Sequence, residues 1–304
     1  MWEKLGLIYK AEDYKNDTWK STHGYIPTPI ELEDRIRVFI SCWDENKFGR
    51  LSYVDLDKTD ITKVLRVSEF PILIDGETGF DCKGVTPISY FIRDGSLYLI
   101  YTGWGSHDKY PYTLFTGVAV SENNGESFIR IRYDPILMPI PKQETIRTAA
   151  FVLYEDYKYK FWYVGGNTWV NLKGKQTPLY DLFYVESDII YTLNNKVPQL
   201  SMKSDIYKGE FAIGRPCILK ENDKYTMYYS SRTIETGYVL KQAESVDGIT
   251  WENNTEITDI TNNKQWWETD MQCFAYVLKA STGTYMFYNG NQHGIDGFGG
   301  AKLI

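Results

Sequence analysis

The sequence predicts an all-β protein built from five repeated units, on three observations. A polar marker residue, acidic or histidine, recurs before five apolar runs at intervals of 58, 63, 66 and 58 residues. Each run is followed by a short polar turn and an aromatic-rich strand, which is the pattern of a β-hairpin. Sustained helical periodicity of the apolar residues is absent from the sequence. The markers are His23, Asp81, Glu144, Glu210 and Glu268.

The second unit contains every element of the repeat. The phrase GFDCKGVTPI precedes the hairpin ISYFIRDGSLYLIYTGW, and GVAVSENNGESF then supplies a third strand and a closing turn. FVLYEDYKYKFWYVGG, CILKENDKYTMYYSSR and YVLKASTGTYMFYNGN repeat the hairpin in the third, fourth and fifth units. The first unit, with IELEDRIRVFISCW, is shorter. The turn residues at the tips favour tight hairpin connections because they tolerate the required backbone angles.

Radial repetition of such meanders predicts a β-propeller. We expect one domain spanning 1–304, a five-bladed β-propeller with blades at roughly 1–75, 76–140, 141–205, 206–263 and 264–304. The last strand is GFGGAKLI, and the N-terminal segment is expected to close the ring against it. A pair of β-sandwiches is the alternative, but it does not predict the same polar residue at the same point of every unit.

Composition excludes several classes of function. The net charge is −7 and no block of Lys and Arg stands out, so nucleic-acid binding is not expected. No apolar stretch has the length of a membrane span, and the N-terminal residues do not resemble a secretory signal, so we expect a cytoplasmic protein. The four Cys form no CxxC pair, which argues against a zinc site and favours buried thiols.

The five marker residues are expected to converge. In a propeller the innermost strands line a central channel, so residues just before them would lie at one mouth of that channel. Taken singly, each marker is better explained as a turn or capping residue, but the set of five weakens that explanation. Charged neighbours at the same places favour a site, because interleaved charges perturb one another's pKa values. With Glu210, the neighbours expected to bind substrate are Arg147, Arg215 and Asp270.

Residues at the ends of the hairpins extend the predicted site. Trp104 and Trp169 are candidates for stacking on sugar rings, with core packing as the alternative. Arg232 and Asn289 occupy the equivalent place in the fourth and fifth units, and a guanidinium there could bind a carboxylate or phosphate. His293 lies in the glycine-rich stretch NGNQHGIDGFG, where it either faces the channel or belongs to a loop.

These phrases resemble a known family. GFDCKGVTPISYFIRDGSLYLIYTGW, AIGRPCIL, AESVDGITW and MFYNGNQHGIDGFGGAKL are similar to five-bladed propellers of the glycoside hydrolase 43, 32, 68 and 130 type. Within that group they look like glycosidase-like bacterial proteins associated with surface-polysaccharide genes. The resemblance covers nearly the whole chain. It implies the propeller fold and a carbohydrate or sugar-nucleotide partner. It also implies no required cofactor, although an axial Ca²⁺ is compatible with the fold.

The resemblance also implies roles for individual residues. Asp81 matches the carboxylate that orients and tunes, and Glu144 matches the general acid. His23 occupies the position where the family has a carboxylate base or nucleophile, and the usual mechanism needs two carboxylates. Either a histidine is the base, or Glu268, Asp270 or Glu210 takes that role, or no glycoside is hydrolysed. Asp13 and Asp17 lie upstream, but their spacing does not match the repeat.

Three functions therefore remain open at this stage. The first is an enzyme that acts on a glycosidic bond, with Asp81, Glu144, His23 and Glu268 as catalytic residues. The second is a cytoplasmic enzyme that transfers or modifies an activated sugar in surface-polysaccharide biosynthesis. The third is a carbohydrate-binding propeller without chemistry. The sequence leaves the sugar and the oligomeric state undetermined.

Overall fold

A computed structural model describes residues 1–16, 18–73, 78–205, 209–235 and 237–304. In chain order the strands are β1 (Trp2–Lys10), β2 (Thr22–Glu31), β3 (Arg35–Trp43), β4 (Gly49–Asp57), β5 (Val64–Val67), β6 (Val85–Arg93), β7 (Ser96–Gly105), β8 (Thr113–Ser121), β9 (Ile129–Arg130), β10 (Ile146–Glu155), β11 (Lys158–Leu172), β12 (Lys175–Ser187), β13 (Gln199–Met202), β14 (Glu210–Glu221), β15 (Lys224–Thr233), β16 (Gly237–Ser245), β17 (Glu252–Glu256), β18 (Cys273–Ala280), β19 (Gly283–Asn289) and β20 (Gly297–Leu303).

The helices of the described ranges are all short. Three are 3₁₀ helices, at Ala11–Tyr14, Ile190–Asn195 and Trp266–Glu268. Two more are single turns, α1 (Thr258–Thr261) and α2 (Asn291–Gly294). None of these helices has the length and apolar character needed to cross a membrane. The prediction of an all-β propeller is confirmed.

Antiparallel pairing sorts the strands into five groups of four, here called units 1 to 5. Units 1 to 4 are the consecutive meanders β2–β5, β6–β9, β10–β13 and β14–β17. Unit 5 contains β18, β19 and β20, and β1 pairs with β20 from Trp2–Leu303 to Lys10–Gly297. The first strand of the chain therefore completes the last unit.

The first strands of the five units form a closed ring. β2 contacts β6, β6 contacts β10, β10 contacts β14, β14 contacts β18, and β18 contacts β2 again. Buried apolar side chains fill the space between neighbouring units, as Phe39 and Leu99 do between units 1 and 2. Burial of such side chains is the main favourable term in folding. The units therefore hold one another in place around a common centre.

Every inner strand is interrupted at the same level by an irregularity of register. Ile26, Ala149, Arg215 and Phe274 adopt positive φ angles of 52°, 51°, 43° and 60° there. In β6 the equivalent residue is Pro87, whose ring fixes φ in the negative range, and the register shifts beside it. Bulges re-aim side chains and are common beside functional sites. Five such irregularities at one level therefore surround the centre of the ring.

Candidate functional site

A cavity of about 270 Å³ opens at the level of these bulges. Its lining includes one residue at or beside the bulge of each inner strand. These residues are Ile26, Ile88, Ala149, Arg215 and Phe274. The repeated irregularity therefore has a spatial consequence, because it surrounds a central cavity with side chains from all five units.

Aromatic side chains form much of the wall. The cavity is lined by Tyr25, Trp43, Trp104, Tyr112, Tyr180, Tyr238 and Phe274. Trp104 donates a 3.0 Å hydrogen bond from Nε1 to Thr86 Oγ1, which fixes its ring. Trp169 lies outside the lining and packs against Tyr110 and Tyr112 at ring distances of 5.2 and 5.1 Å. Trp104 therefore faces the cavity, whereas Trp169 supports a residue that does.

The polar part of the lining is cationic or neutral. It consists of Arg215, Arg232, Lys175, His293, Gln176 and the threonines Thr86, Thr102, Thr148 and Thr177. Among the described residues that surround the cavity, none is Asp or Glu. The markers Asp81, Glu144, Glu210 and Glu268 therefore do not line it.

Arg215 closes the centre of the ring. Its side chain is fully buried and donates to the carbonyl oxygens of Phe274, Pro27 and Ile88 and to Thr28 Oγ1 at 2.7 Å. These contacts tie unit 4 to units 5, 1 and 2. Burial lowers its pKa to about 10, so the guanidinium is charged at neutral pH. Its Nε has no hydrogen-bond partner within the described residues.

Arg232 extends from β15 into the cavity lining. Its guanidinium lies over the rings of Phe211 and Tyr238, 5.3 and 5.2 Å from their centroids. Such cation–π contacts hold the plane of a guanidinium without occupying its N–H groups. In the part of the chain that the structure describes, the guanidinium of Arg232 makes no hydrogen bond or ion pair, although its backbone pairs within the sheet.

The two predicted histidines lie on either side of the cavity wall. His23 is only 5 % exposed, stacks on Trp43 at 3.9 Å and contacts Gln292 O through Nε2 at 3.2 Å. It therefore lies behind a lining residue. His293 lines the cavity itself, with its ring 6.0 Å from that of Phe274.

Both histidines are neutral at pH 7. Burial lowers the pKa of His23 to about 4. Burial, followed by the positive charge of Arg232 and weaker electrostatic effects of His23 and Lys175, lowers the pKa of His293 to about 4 as well. Neither imidazole carries a proton that it could give up as an acid at neutral pH.

Two of the predicted catalytic carboxylates are buried in hydrogen-bond networks within their own units. Asp81 is 3 % exposed and accepts from Arg130 Nε at 2.7 Å and from the Tyr101 hydroxyl at 3.1 Å. Arg130 belongs to β9, the outermost strand of unit 2. Asp81 therefore joins the start of the unit to its middle and outer strands.

Glu268 repeats this arrangement in unit 5. It is fully buried and accepts from Lys4 Nζ at 2.8 Å, Tyr288 OH at 2.9 Å and Gln272 Nε2 at 2.6 Å. Lys4 lies on β1, so Glu268 also fastens the strand that completes the unit. Its backbone partner is Gln265 N, at 3.0 Å from Oε1.

The third and fourth units differ from units 2 and 5 in the polar contacts at the marker position. In unit 3 the acceptor is Gln143, whose Oε1 receives the Tyr163 hydroxyl at 3.0 Å. Glu144 is exposed and, within the described ranges, has no hydrogen bond or ion pair. Glu210 pairs with Lys241 and accepts from Ser231 Oγ. In units 2, 4 and 5 the marker carboxylate thus connects strands of its own unit and does not point to a shared mouth.

Three further predicted binding residues have structural partners. Arg147 is fully buried and donates to Met138 O at 2.8 Å and Asn194 Oδ1 at 3.0 Å. Asn289 is fully buried and accepts from Ile26 N at 2.8 Å. Asp270 is exposed, lies outside the cavity lining and accepts from Thr269 Oγ1 at 3.2 Å.

Four of the predicted residues meet at the cavity, namely Trp104, Arg215, Arg232 and His293. Sequence reasoning missed Lys175 and the tyrosines Tyr25, Tyr112, Tyr180 and Tyr238. Of the upstream alternatives, Asp13 is exposed and faces Lys10 Nζ at 3.5 Å, and Asp17 lies outside the described residues.

An axial Ca²⁺ does not fit the residues at the centre. Calcium takes six to eight oxygen ligands, with carboxylates prominent among them. Here the guanidinium of Arg215 occupies the carbonyls of Phe274, Pro27 and Ile88 that converge on the axis. No cluster of three potential metal ligands from His, Cys, Asp and Glu occurs in the described ranges.

Sequence comparison finds relatives without an assigned activity. No protein-family model matches the sequence. Two proteins from two strains of Mycobacterium tuberculosis, "Uncharacterized protein MT1551" and "Uncharacterized protein Rv1502", are each 27 % identical over 307 residues. The match covers 99 % of this chain and 99 % of each relative.

Comparison with solved structures defines the class of fold. A putative glycosidase from Bacteroides thetaiotaomicron superposes with a TM-score of 0.73 at 12 % identity, over 99 % of this chain and 96 % of the other. An alpha-L-arabinofuranosidase from Lactobacillus brevis gives 0.68 at 11 % identity, over 97 % and 94 %. A thermostable family-43 glycoside hydrolase gives 0.66 at 13 % identity, over 96 % and 93 %. The protein therefore has the propeller fold of these glycoside hydrolases.

Proposed function

We propose that the protein binds a carbohydrate in the central cavity and does not use that cavity for two-carboxylate hydrolysis. The observation that carries this proposal is the composition of the lining, which is aromatic and cationic and has no Asp or Glu among its described residues. The likeness in fold to glycoside hydrolases supports a sugar as the ligand, and the lining supports binding over hydrolysis.

The cavity has the chemistry that a sugar requires. The flat apolar faces of Trp104 and the tyrosines can stack on a sugar ring, while their polar atoms, with Gln176 and the threonines, can bond its hydroxyls. Its volume of about 270 Å³ lies near the lower end of small-molecule sites, which span about 300–1,000 Å³. A small glycan unit suits this space better than an extended polymer.

Hydrolysis by the usual route needs an acid and a second carboxylate on opposite sides of the bond, about 5–9.5 Å apart. Asp81 and Glu268 are held in buried networks with Arg130 and Lys4. Releasing either carboxylate for chemistry would break a buried ion pair, which is strongly destabilising. Their partners thus favour a structural role over a catalytic one.

Chemistry at a glycosidic bond stays the second candidate because of Glu144. Of the four marker carboxylates, it is the one that is exposed and has no partner in the described ranges. It precedes by two positions Ile146, which lines the cavity. If the protein hydrolyses or transfers a sugar, Glu144 is the carboxylate available to act as its acid.

The binding proposal is tested by titration of the tryptophan fluorescence with glucose, galactose, arabinose, glucuronic acid and N-acetylneuraminic acid. At least one of these sugars should change the emission, and Trp104→Ala should weaken its binding by about tenfold because a stacking face is lost. Trp266→Ala is the control, since Trp266 is 62 % exposed and lies outside the lining.

A parallel assay separates binding from catalysis. The wild-type protein should release no p-nitrophenol from the corresponding p-nitrophenyl glycosides. Turnover that disappears in Glu144→Gln would establish the second candidate function instead. The binding proposal would be overturned if none of the sugars changed the tryptophan emission of the wild-type protein or of the Trp104 and Trp266 variants.

A further inference from the structure

We infer that the ligand of this cavity carries a negatively charged group, a carboxylate or a phosphate, which binds to Arg232 with the help of Lys175. This inference rests on the proposed carbohydrate-binding function and narrows it to acidic sugars or sugar phosphates.

The cavity lining is positively charged, although the whole chain has a net negative charge. The protein has 40 acidic and 33 basic residues, excluding His, and a net charge of −7. The lining nevertheless contains Arg215, Arg232 and Lys175, with no acidic residue among its described members. A concave surface of one sign concentrates ligands of the opposite sign. An anion in the cavity would offset the mutual repulsion of these three cations.

The side chain of Arg232 lacks the ion pairs that hold the arginines which stabilise the fold. Buried Arg37 is ion-paired to Asp55 at 2.7 Å, and Arg130 is ion-paired to Asp81 at 2.7 Å. Arg232 has ring contacts but no such acceptor among the described residues. Its plane is held by the two rings while its N–H edge is left for a ligand. That edge matches the two oxygens of a carboxylate or phosphate.

Arg215 provides a second, independent observation. This side chain lines the same cavity and is fully buried, yet its Nε lacks an acceptor in the described part of the chain. A buried donor without a partner is unfavourable, and a ligand oxygen can satisfy it. The positive charges of Arg232 and Lys175 also act within the cavity, since after burial they help to lower the pKa of His293.

Lys175 is the third cation of the cavity lining. It begins β12 and is exposed, and its ammonium group makes no hydrogen bond or ion pair within the described residues. A lysine is a mobile point charge, whereas an arginine fork has fixed geometry. Lys175 can therefore attract an anion, and Arg232 can fix its orientation.

The test measures affinities by isothermal titration calorimetry for glucose, glucuronic acid, glucose 1-phosphate and inorganic phosphate. We expect at least one of the two charged sugars to bind about 10- to 100-fold more tightly than glucose, as charge-assisted hydrogen bonds imply. The preferred one identifies the source of the charge as a carboxylate or a phosphate. Arg232→Gln should remove this preference, so that glucose and the charged sugars bind with affinities within about twofold of one another.

Lys224→Gln is the matched control. It removes the same charge from the same strand, β15, at a residue that is exposed and outside the cavity lining. It should leave every affinity unchanged. If Arg232→Gln proves unfolded by circular dichroism, Lys175→Gln takes its place, because an exposed lysine can be replaced without disturbing the core.

The possible outcomes distinguish a failure of the anion site from a failure of the carbohydrate-binding proposal. Equal affinities for glucose and the charged sugars, or a preference that survives Arg232→Gln and Lys175→Gln, would overturn the anion site and leave carbohydrate binding standing. Binding of inorganic phosphate without any sugar would support the anion site and overturn the carbohydrate proposal. No binding of any of the four compounds would overturn both.

Discussion

Replacing Glu268 with glutamine should lower the free energy of unfolding by about 3–5 kcal/mol, as expected when one partner of a buried ion pair is removed. Glu268 is fully buried, and Lys4 Nζ lies 2.8 Å from its Oε1. The amide cannot neutralise the ammonium group. Its NH₂ group would also face either Lys4 or the donors Tyr288 OH and Gln272 Nε2, because both carboxylate oxygens now accept hydrogen bonds.

The effect should be large because Glu268 fastens the closing strand. Lys4 belongs to β1, which pairs with β20 and completes unit 5. Loss of the ion pair therefore weakens the contact that joins the two ends of the chain. Asp81→Asn should act in the same direction through Arg130 and Tyr101, within unit 2.

Urea denaturation measures this prediction. Glu268→Gln should shift the midpoint with little change in m, since the surface exposed on unfolding is similar. Glu144→Gln is the control and should change the unfolding free energy by no more than about 0.5 kcal/mol, as is usual for exposed positions without partners. A Glu268→Gln protein as stable as the wild type would show that the carboxylate is not a fastening point.

The repeat allowed the architecture to be predicted because its signals are local. Alternating aromatic residues define a strand, and turn pairs such as Asp94–Gly95 end it, whatever surrounds them. Ser245 shows how direct this link is, since its Oγ accepts from Gly248 N at 2.8 Å in the predicted tight turn. The pairing of β1 with β20 follows from the same logic, because the last unit has only three strands of its own.

The face of the strand on which each marker side chain lies could not be predicted from the spacing of the markers. In a strand a shift of one residue moves a side chain to the other face, and every inner strand contains such a shift. In unit 3 the side chain that accepts the tyrosine hydroxyl is Gln143. It lies one position before Glu144, the residue that the repeat singles out. The catalytic roles of Asp81, Glu144, His23 and Glu268 stay predictions.

The missed part of the site comes from residues that carry no motif. Lys175 and Tyr180 line the cavity because β11 and β12 form the longest hairpin, with 15 and 13 residues. Tyr25 and Tyr238 lie in ordinary aromatic strands and could not be told apart from core tyrosines. Arg232 was found because it occupies, in unit 4, the hairpin end that carries tryptophan in unit 2.

The stability of the protein should fall as the pH is lowered from about 6.5 to about 4. An unperturbed histidine has a pKa of about 6.5, whereas the pKa values of His23 and His293 in the folded state are about 4. Between these values the unfolded chain binds more protons than the folded one, so acid favours unfolding. Each histidine contributes a slope of about 1.4 kcal/mol per pH unit in the middle of this window.

The two buried histidines provide the matched variants. Urea titrations at pH 7.5, 6.5, 5.5 and 4.5 should show that His23→Gln has about half the wild-type slope, whatever its stability at pH 7.5. His293→Gln should reduce the slope by a similar amount, because its pKa is lowered to the same value. The slopes are compared between pH 6.5 and 5.5, because carboxylates such as Glu126, whose pKa is held at about 2 chiefly by Arg37 against the effect of burial, begin to contribute below about pH 5.5. An unchanged slope in His23→Gln would mean that His23 keeps an ordinary pKa in the folded protein, so that below about pH 6.5 its stacking on Trp43 would be a contact between a cation and the aromatic wall of the cavity.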